Sequence, residues 1–111
     1  MKKETQNTII ELTEFYSIYF FGSWLYADQP ADIDVLIVYD PIACPPSNIQ
    51  ELARPFLDQL KKTFYLEVDA VYLTEKEEND INFIKQERCV SIEKVARANN
   101  LFQRIAKSRA R

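Results

Sequence analysis

Apolar residues change between helical and strand spacing several times along this chain, which predicts alternating helices and strands. Thr8-x-x-Glu11 has the spacing of a helix capping box. The apolar residues Ile9, Leu12 and Tyr16 recur around it at helical intervals. We therefore expect a first helix in this part of the chain.

Two strands separated by a turn are predicted next. Residues 17–21 read as a buried strand that ends at Gly22, and residues 24–28 as a short helical turn closed by Pro30. Residues 32–39 begin with acidic positions and continue as an apolar run, which predicts the second strand.

A long amphipathic helix follows a proline-rich loop. Ser47-x-x-Gln50 resembles a capping box at its start. Pro55 conflicts with an unbroken helix, because an interior proline loses a hydrogen bond and clashes with the preceding turn. It either kinks the helix or marks its true first turn. The apolar stripe consists of Ile49, Leu52, Ala53, Phe56, Leu57, Leu60 and Phe64.

The segment from Tyr65 to Leu73 predicts a third strand, since apolar and acidic side chains alternate along it. One face carries Leu66, Val68, Ala70 and Tyr72, and the other carries Glu67, Asp69 and Val71. Acidic groups therefore share one face of this strand.

Shorter elements complete the pattern. Thr74-x-x-Glu77 predicts a capped helix that runs to about Lys85, and residues 89–92 predict a small fourth strand. From Ser91 or Glu93 onward, a basic amphipathic helix is expected. Its apolar side contains Ile92, Val95, Ala96, Phe102, Ile105 and Ala106, whereas Arg97, Arg104, Lys107 and Arg111 lie mostly elsewhere.

These elements predict an α/β (α+β) fold in which helices flank a small mixed β-sheet of three to four strands. A length of 111 residues suits one domain and is too short for a catalytic domain with a separate substrate domain. We divide this domain into a core over residues 1–92 and the basic C-terminal helix over residues 93–111.

The acidic and basic residues are unevenly distributed. Residues 1–90 contain eight basic and sixteen acidic side chains, whereas residues 91–111 contain six basic and one acidic. No lysine or arginine occurs between Lys3 and Arg54. The basic tail suits contact with nucleic acid, with an acidic partner or with a nucleotide polyphosphate, but it equally suits a solubilising terminus.

Composition also narrows the cellular setting. The longest uncharged aromatic stretch, residues 15–27, is too short to cross a bilayer, and the first residues lack a signal-peptide core. The two cysteines, Cys44 and Cys89, fit no zinc pattern in a chain without histidine, and we interpret them as reduced thiols. A cytoplasmic protein is expected.

The chemistry centres on the only glycine, Gly22, and on Asp32-Ile33-Asp34. A single glycine before Ser23 suggests that the backbone closely approaches another group, which we interpret as a phosphate. Alternate strand residues share a face, so Asp32 and Asp34 lie about 6.5 Å apart along one face. Two carboxylates in this arrangement can hold a divalent metal.

A third carboxylate is expected from the neighbouring strand. Asp69 lies within an otherwise apolar segment and is our choice, with Glu67 as the weaker competitor on the same face. The structural alternative is that Gly22 serves a tight turn, Asp32 begins a strand and Asp69 lies on a solvated face. Carboxylates within apolar strands are costly unless they are solvated or coordinated, which favours a metal site.

At these residues the chain resembles the DNA polymerase β-type nucleotidyltransferase superfamily and, within it, the minimal nucleotidyltransferases. The resemblance is carried by Phe21-Gly22-Ser23, by Asp32-Ile33-Asp34-Val35-Leu36-Ile37 and by Val68-Asp69-Ala70-Val71. It implies a polymerase-β palm-like fold in which Gly22 and Ser23 bind triphosphate. It also implies that Asp32, Asp34 and Asp69 bind Mg²⁺ and form the catalytic site.

The expected function is Mg²⁺-dependent transfer of a nucleoside monophosphate, AMP from ATP, onto a hydroxyl of a partner protein. The resemblance implies a small helical partner such as a ribonuclease toxin of a toxin–antitoxin pair. The alternative is a catalytically inactive binding protein of the same fold that acts as an antitoxin or assembly subunit. Nucleic-acid binding by residues 94–111 is the least favoured hypothesis, and a homo-oligomer stays open.

Overall fold

The computed structural model describes residues 16–98, with side chains described through residue 95. The predicted capping box at Thr8 and Glu11 lies outside these residues. Tyr16, which we had grouped with that helix, is the first residue of a strand instead. Its side chain is buried, because strand alternation directs it into the core together with Ile18 and Phe20.

Within residues 16–98, four strands form one mixed sheet. They are β1 (Tyr16–Phe21), β2 (Asp32–Tyr39), β3 (Glu67–Thr74) and β4 (Val90–Ser91). Their order across the sheet is β3-β2-β1-β4, with β2 and β3 parallel and the other two pairs antiparallel. The predicted α/β class, with a small mixed sheet flanked by helices, is confirmed.

The helical elements are a 3₁₀ turn (Ser23–Leu25), α1 (Ile49–Phe64), α2 (Glu75–Ile81), α3 (Phe83–Gln86) and α4 (Ile92–Ala98). The turn is shorter than the helical segment predicted over residues 24–28. No helix within residues 16–98 is long and apolar enough to cross a membrane.

The two faces of the sheet differ in chemistry. The first face packs against α1 and α4 and forms the main core, which includes Phe20, Ile33, Val35, Ile37, Ala53, Phe56, Leu60, Ile92 and Val95. The second face carries Asp32 and Asp34 at the start of β2, followed by the fully buried Leu36. Helix α2 contacts β2 and β3, and Phe83 meets Phe21 edge to face with ring centres 5.1 Å apart.

The start of α1 differs from its prediction. The helix begins at Ile49 after Asn48, with no side-chain capping bond, so the capping box predicted at Ser47 and Gln50 is wrong. The Ser47 hydroxyl instead lies 3.4 Å from the Asn48 side chain. Pro55 lies inside the helix, which excludes the interpretation that it marks the first turn.

The boundary between α1 and β3 is also corrected. Tyr65 adopts a left-handed conformation, with φ of 57°, and its N–H bonds to the Lys61 carbonyl. This geometry ends the helix and prevents Tyr65 from joining the strand, which therefore begins at Glu67.

The capping box at Thr74 is confirmed. The Thr74 hydroxyl accepts a bond of 3.1 Å from the Glu77 N–H, and the Glu77 carboxylate accepts one of 2.9 Å from the Thr74 N–H. The helix ends at Ile81 rather than near Lys85, because Asn82 adopts a left-handed conformation with φ of 61°. Helix α3 then follows as a separate turn.

The last two described elements shift by one or two residues from their predicted bounds. The fourth strand is limited to Val90 and Ser91, which pair with Phe20 and Tyr19 in β1. Cys89 therefore precedes this strand, and Ile92 opens α4. The predicted continuation of the basic helix beyond residue 98 lies outside the described part of the chain.

Thr74 and Ser47 provide a matched test of the observed caps. We expect Thr74→Ala to lower the free energy of unfolding by about 1 kcal/mol, because it removes the oxygen that satisfies an N-terminal helix N–H. Ser47→Ala should have little effect, since Ser47 caps no helix. Urea unfolding of both variants measures the difference, and equal losses would contradict the assigned caps.

Candidate metal centre

Three aspartates from two neighbouring strands converge on the second face of the sheet. Asp32 and Asp34 occupy alternate positions of β2, and Asp69 lies directly opposite Asp34 in the parallel register with β3. Because paired residues in adjacent strands share a face, this register places all three side chains on the same side. The site lies where β2 and β3 begin and β1 ends.

The carboxylates are close enough to bind one ion. One ligand oxygen from each of Asp32, Asp34 and Asp69 lies within 4.8 Å of the others. Oxygens on opposite sides of an octahedral Mg²⁺ are about 4.2 Å apart, twice the usual metal–oxygen distance. The limit of 4.8 Å for the triad is slightly longer than this span, so the oxygens would move closer together to share one Mg²⁺. We call these three residues the aspartate triad.

Glu67, the competing third acid, has a different partner. It pairs with Asp32 in the strand register, but its carboxylate lies 3.4 Å from the Lys61 ammonium of α1. Of the two acids predicted on this face of β3, Asp69 is the one that joins Asp32 and Asp34.

Gly22 lies against the triad. Its φ of 83° is in the region that favours glycine. A methyl group built on Gly22 would overlap the Asp34 Oδ2 atom and lie 3.2 Å from Asp34 Cγ. The close approach inferred from the sequence therefore involves a carboxylate of this chain, a contact that the sequence pattern did not indicate. Glycine at this position gives Asp34 the room it occupies.

Ser23 begins the 3₁₀ turn directly after that glycine. It is exposed, and its carbonyl accepts hydrogen bonds of 3.0 and 2.7 Å from the Tyr26 and Ala27 N–H groups. Trp24 anchors the turn, with ring centres 5.0 Å from Phe20 and 5.3 Å from Phe64. The sequence predicts Trp24 in the turn but does not indicate this packing.

Burial and neighbouring negative charge both act on Asp34. Burial raises the pKa of Asp34 above its usual value, and the charges of Asp32 and Asp69 raise it further. A divalent cation would offset both the burial and the mutual repulsion of these carboxylates. The electrostatics therefore suit cation binding.

The donor set is appropriate for a hard cation. It consists entirely of carboxylate oxygens, which Mg²⁺, Ca²⁺ and Mn²⁺ prefer over the thiolate and imidazole ligands common in zinc sites. No protein-family model, curated protein or solved structure matches this chain. The chemistry of the site is thus inferred from the triad and from the adjacent turn.

The contact between Gly22 and Asp34 can be measured by a double-mutant cycle. Gly22→Ala should cost about 1–3 kcal/mol of unfolding free energy for its backbone conformation, with a further loss from overlap with Asp34. In an Asp34→Ala background the second loss should disappear, because the overlapping oxygen is absent. Chemical unfolding of the four proteins gives the coupling, and strictly additive effects would contradict the contact.

The raised pKa of Asp34 predicts the direction of a pH effect. Folded Asp34 binds its proton more tightly than the unfolded chain does, so stability falls as the pH rises from the unfolded pKa through the folded one. Without metal, Asp34→Asn should remove this fall and be more stable than the native protein near pH 7. Thermal unfolding between pH 3 and 7 tests the prediction.

Asp28→Asn is the matched control for that series, since it removes an exposed carboxylate outside the triad. It should retain the native fall in stability. If Asp34→Asn and the native protein have the same pH profile of stability, the pKa of Asp34 is not raised in the folded protein.

Proposed function

We propose that this protein is a Mg²⁺-dependent nucleotidyltransferase that transfers a nucleoside monophosphate, AMP from ATP, onto a hydroxyl of a partner protein. The observation that carries the proposal is the convergence of Asp32, Asp34 and Asp69 beside the Gly22-Ser23 turn. Nucleotidyl transfer needs carboxylates that hold metal and a neighbouring group that holds phosphate.

Each residue has a separate role in the proposed reaction. Asp32 and Asp34 hold the metal, and the Ser23 hydroxyl donates a hydrogen bond to the terminal phosphates. Bound Mg²⁺ would neutralise the charge that develops on the attacking and leaving oxygens. Asp69 orients the acceptor hydroxyl and takes its proton.

The bond changes are those of an in-line displacement at the α-phosphorus. The acceptor oxygen forms the new phosphorus–oxygen bond, and the bond to the β-phosphate oxygen breaks. Pyrophosphate leaves with the electron pair of that bond, while Asp69 retains the proton of the acceptor. Asp69 is exposed, whereas Asp34 is half-buried against Gly22, so Asp69 is the carboxylate that an acceptor from solution can reach.

The resemblance to minimal nucleotidyltransferases supports the same assignment, because four of its motif residues, Gly22, Asp32, Asp34 and Asp69, lie close together. It also motivates the choice of a small helical protein, such as a toxin, as the acceptor. Nucleoside triphosphates and Mg²⁺ are abundant in the cytoplasm, where we place the protein.

Two differently labelled ATP molecules would test the reaction. The protein is incubated with Mg²⁺ and the protein products of neighbouring genes, with ATP labelled on the α- or the γ-phosphate. Transfer of AMP should label an acceptor from α-labelled ATP only, whereas a kinase would transfer the γ label. Asp32→Ala combined with Asp34→Ala should abolish the labelling.

Asp28→Asn serves as the matched control and should retain full labelling. Labelling that survives loss of both triad residues would refute the proposal. If the partner co-purifies while calorimetry detects neither Mg²⁺ nor nucleotide binding, the alternative of an inactive binding protein is correct.

A further inference from the structure

An open groove lies at the ends of β2 and β3 that carry the triad. It has a volume of about 920 Å³, within the range of small-molecule binding sites. Ala31, which precedes Asp32 in the chain, lines this groove together with Leu66 and Glu67 at the start of β3. The groove therefore includes Ala31, which adjoins Asp32 in the chain, and Glu67, which pairs with Asp32 in the strand register.

The groove is also lined by Asp58, Lys61 and Lys62 in the C-terminal half of α1 and by Tyr65 directly after it. The 3.4 Å ion pair between Lys61 and Glu67 joins α1 to the start of β3. Ala31 and Leu66 provide apolar surface, whereas the charged side chains surround it. Such a combination suits a flat heterocycle, which needs apolar contact for its faces and polar partners for its edges.

Tyr65 is the most unusual residue of the groove. Its side chain is 89% exposed although it is a large aromatic group. Its backbone is left-handed, a conformation that helix ends usually assign to glycine. The conformation presents an aromatic ring at the mouth of the groove.

The geometry of the proposed reaction determines where the nucleoside can bind. In the proposed reaction Ser23, after β1, holds the leaving pyrophosphate and Asp69, on β3, holds the attacking hydroxyl. The line between these two groups then passes β2, which lies between those strands and carries Asp32 and Asp34. The nucleoside is the third substituent of the reacting phosphorus and must leave that line sideways. The groove adjoins Asp32 at the starts of β2 and β3 and has room for that nucleoside.

We propose that this groove binds the nucleoside of the nucleotide substrate, with the base stacked on Tyr65. The inference depends on the proposed function, because the triad and Ser23 must hold the phosphates. It adds the position of the base and identifies Tyr65 as a residue that contacts the substrate.

Calorimetry with two ligands tests the role of Tyr65. The full chain is titrated in Mg²⁺ with a non-hydrolysable ATP analogue and, separately, with tripolyphosphate, which has no base. Tyr65→Asn removes the ring but suits the left-handed turn, since asparagine tolerates that conformation. It should weaken the ATP analogue about tenfold, as expected for a lost base–aromatic stack, and leave tripolyphosphate binding unchanged.

Two further variants control the experiment. Tyr65→Phe keeps the ring and should retain native affinity for both ligands. Ile42→Asn replaces an exposed apolar residue that does not line the groove, and it should also bind both ligands normally.

The outcomes separate this inference from the proposed function. Native affinity of Tyr65→Asn for the ATP analogue would overturn the groove assignment and leave the phosphate site intact. Equal binding of both ligands by the native protein would likewise show that the groove does not hold the base. If neither ligand binds in Mg²⁺, the proposed function and the groove assignment both fail.

Discussion

The parallel pairing of β2 with β3 is the constraint on which the rest of the site depends. This pairing sets Asp34 directly opposite Asp69 and Asp32 opposite Glu67, so four acidic residues begin one face of the sheet. A shift of one residue in this register would turn Asp69 to the other face. The apolar residues of the first face resist that shift, because it would expose Val68 and Ala70 and bury acids against α1.

Apolar burial that stabilises the fold and charge repulsion that opposes it therefore occur within a few residues of each other in β2. Leu36 is fully buried on the second face, only two positions from Asp34, whose pKa is raised by burial and by the charges of Asp32 and Asp69. The stability of the surrounding sheet holds these groups together against their repulsion. Gly22 contributes to the same arrangement, since a side chain at that position would displace the Asp34 carboxylate.

Much of this arrangement could be predicted from the sequence because strand alternation is a local property. Strand alternation was sufficient to place Asp32, Asp34 and Asp69 on faces of β2 and β3. The register that brings them together is a property of the folded sheet. The left-handed Tyr65 and Asn82 were missed, since neither is a glycine, and each shortened a predicted element. The contact between Gly22 and Asp34 joins separate strands, and no local spacing could indicate it.

The central claim is that the triad forms a centre for a divalent cation. Electron paramagnetic resonance measurement of Mn²⁺ binding tests this claim most directly. Asn replacements of Asp32, Asp34 and Asp69 should each weaken Mn²⁺ binding, because each removes a ligand oxygen. Glu67→Gln, which removes the carboxylate that pairs with Lys61, should leave the affinity for Mn²⁺ close to native. Native affinity in all three Asn variants, or an equal loss at Glu67, would contradict the account.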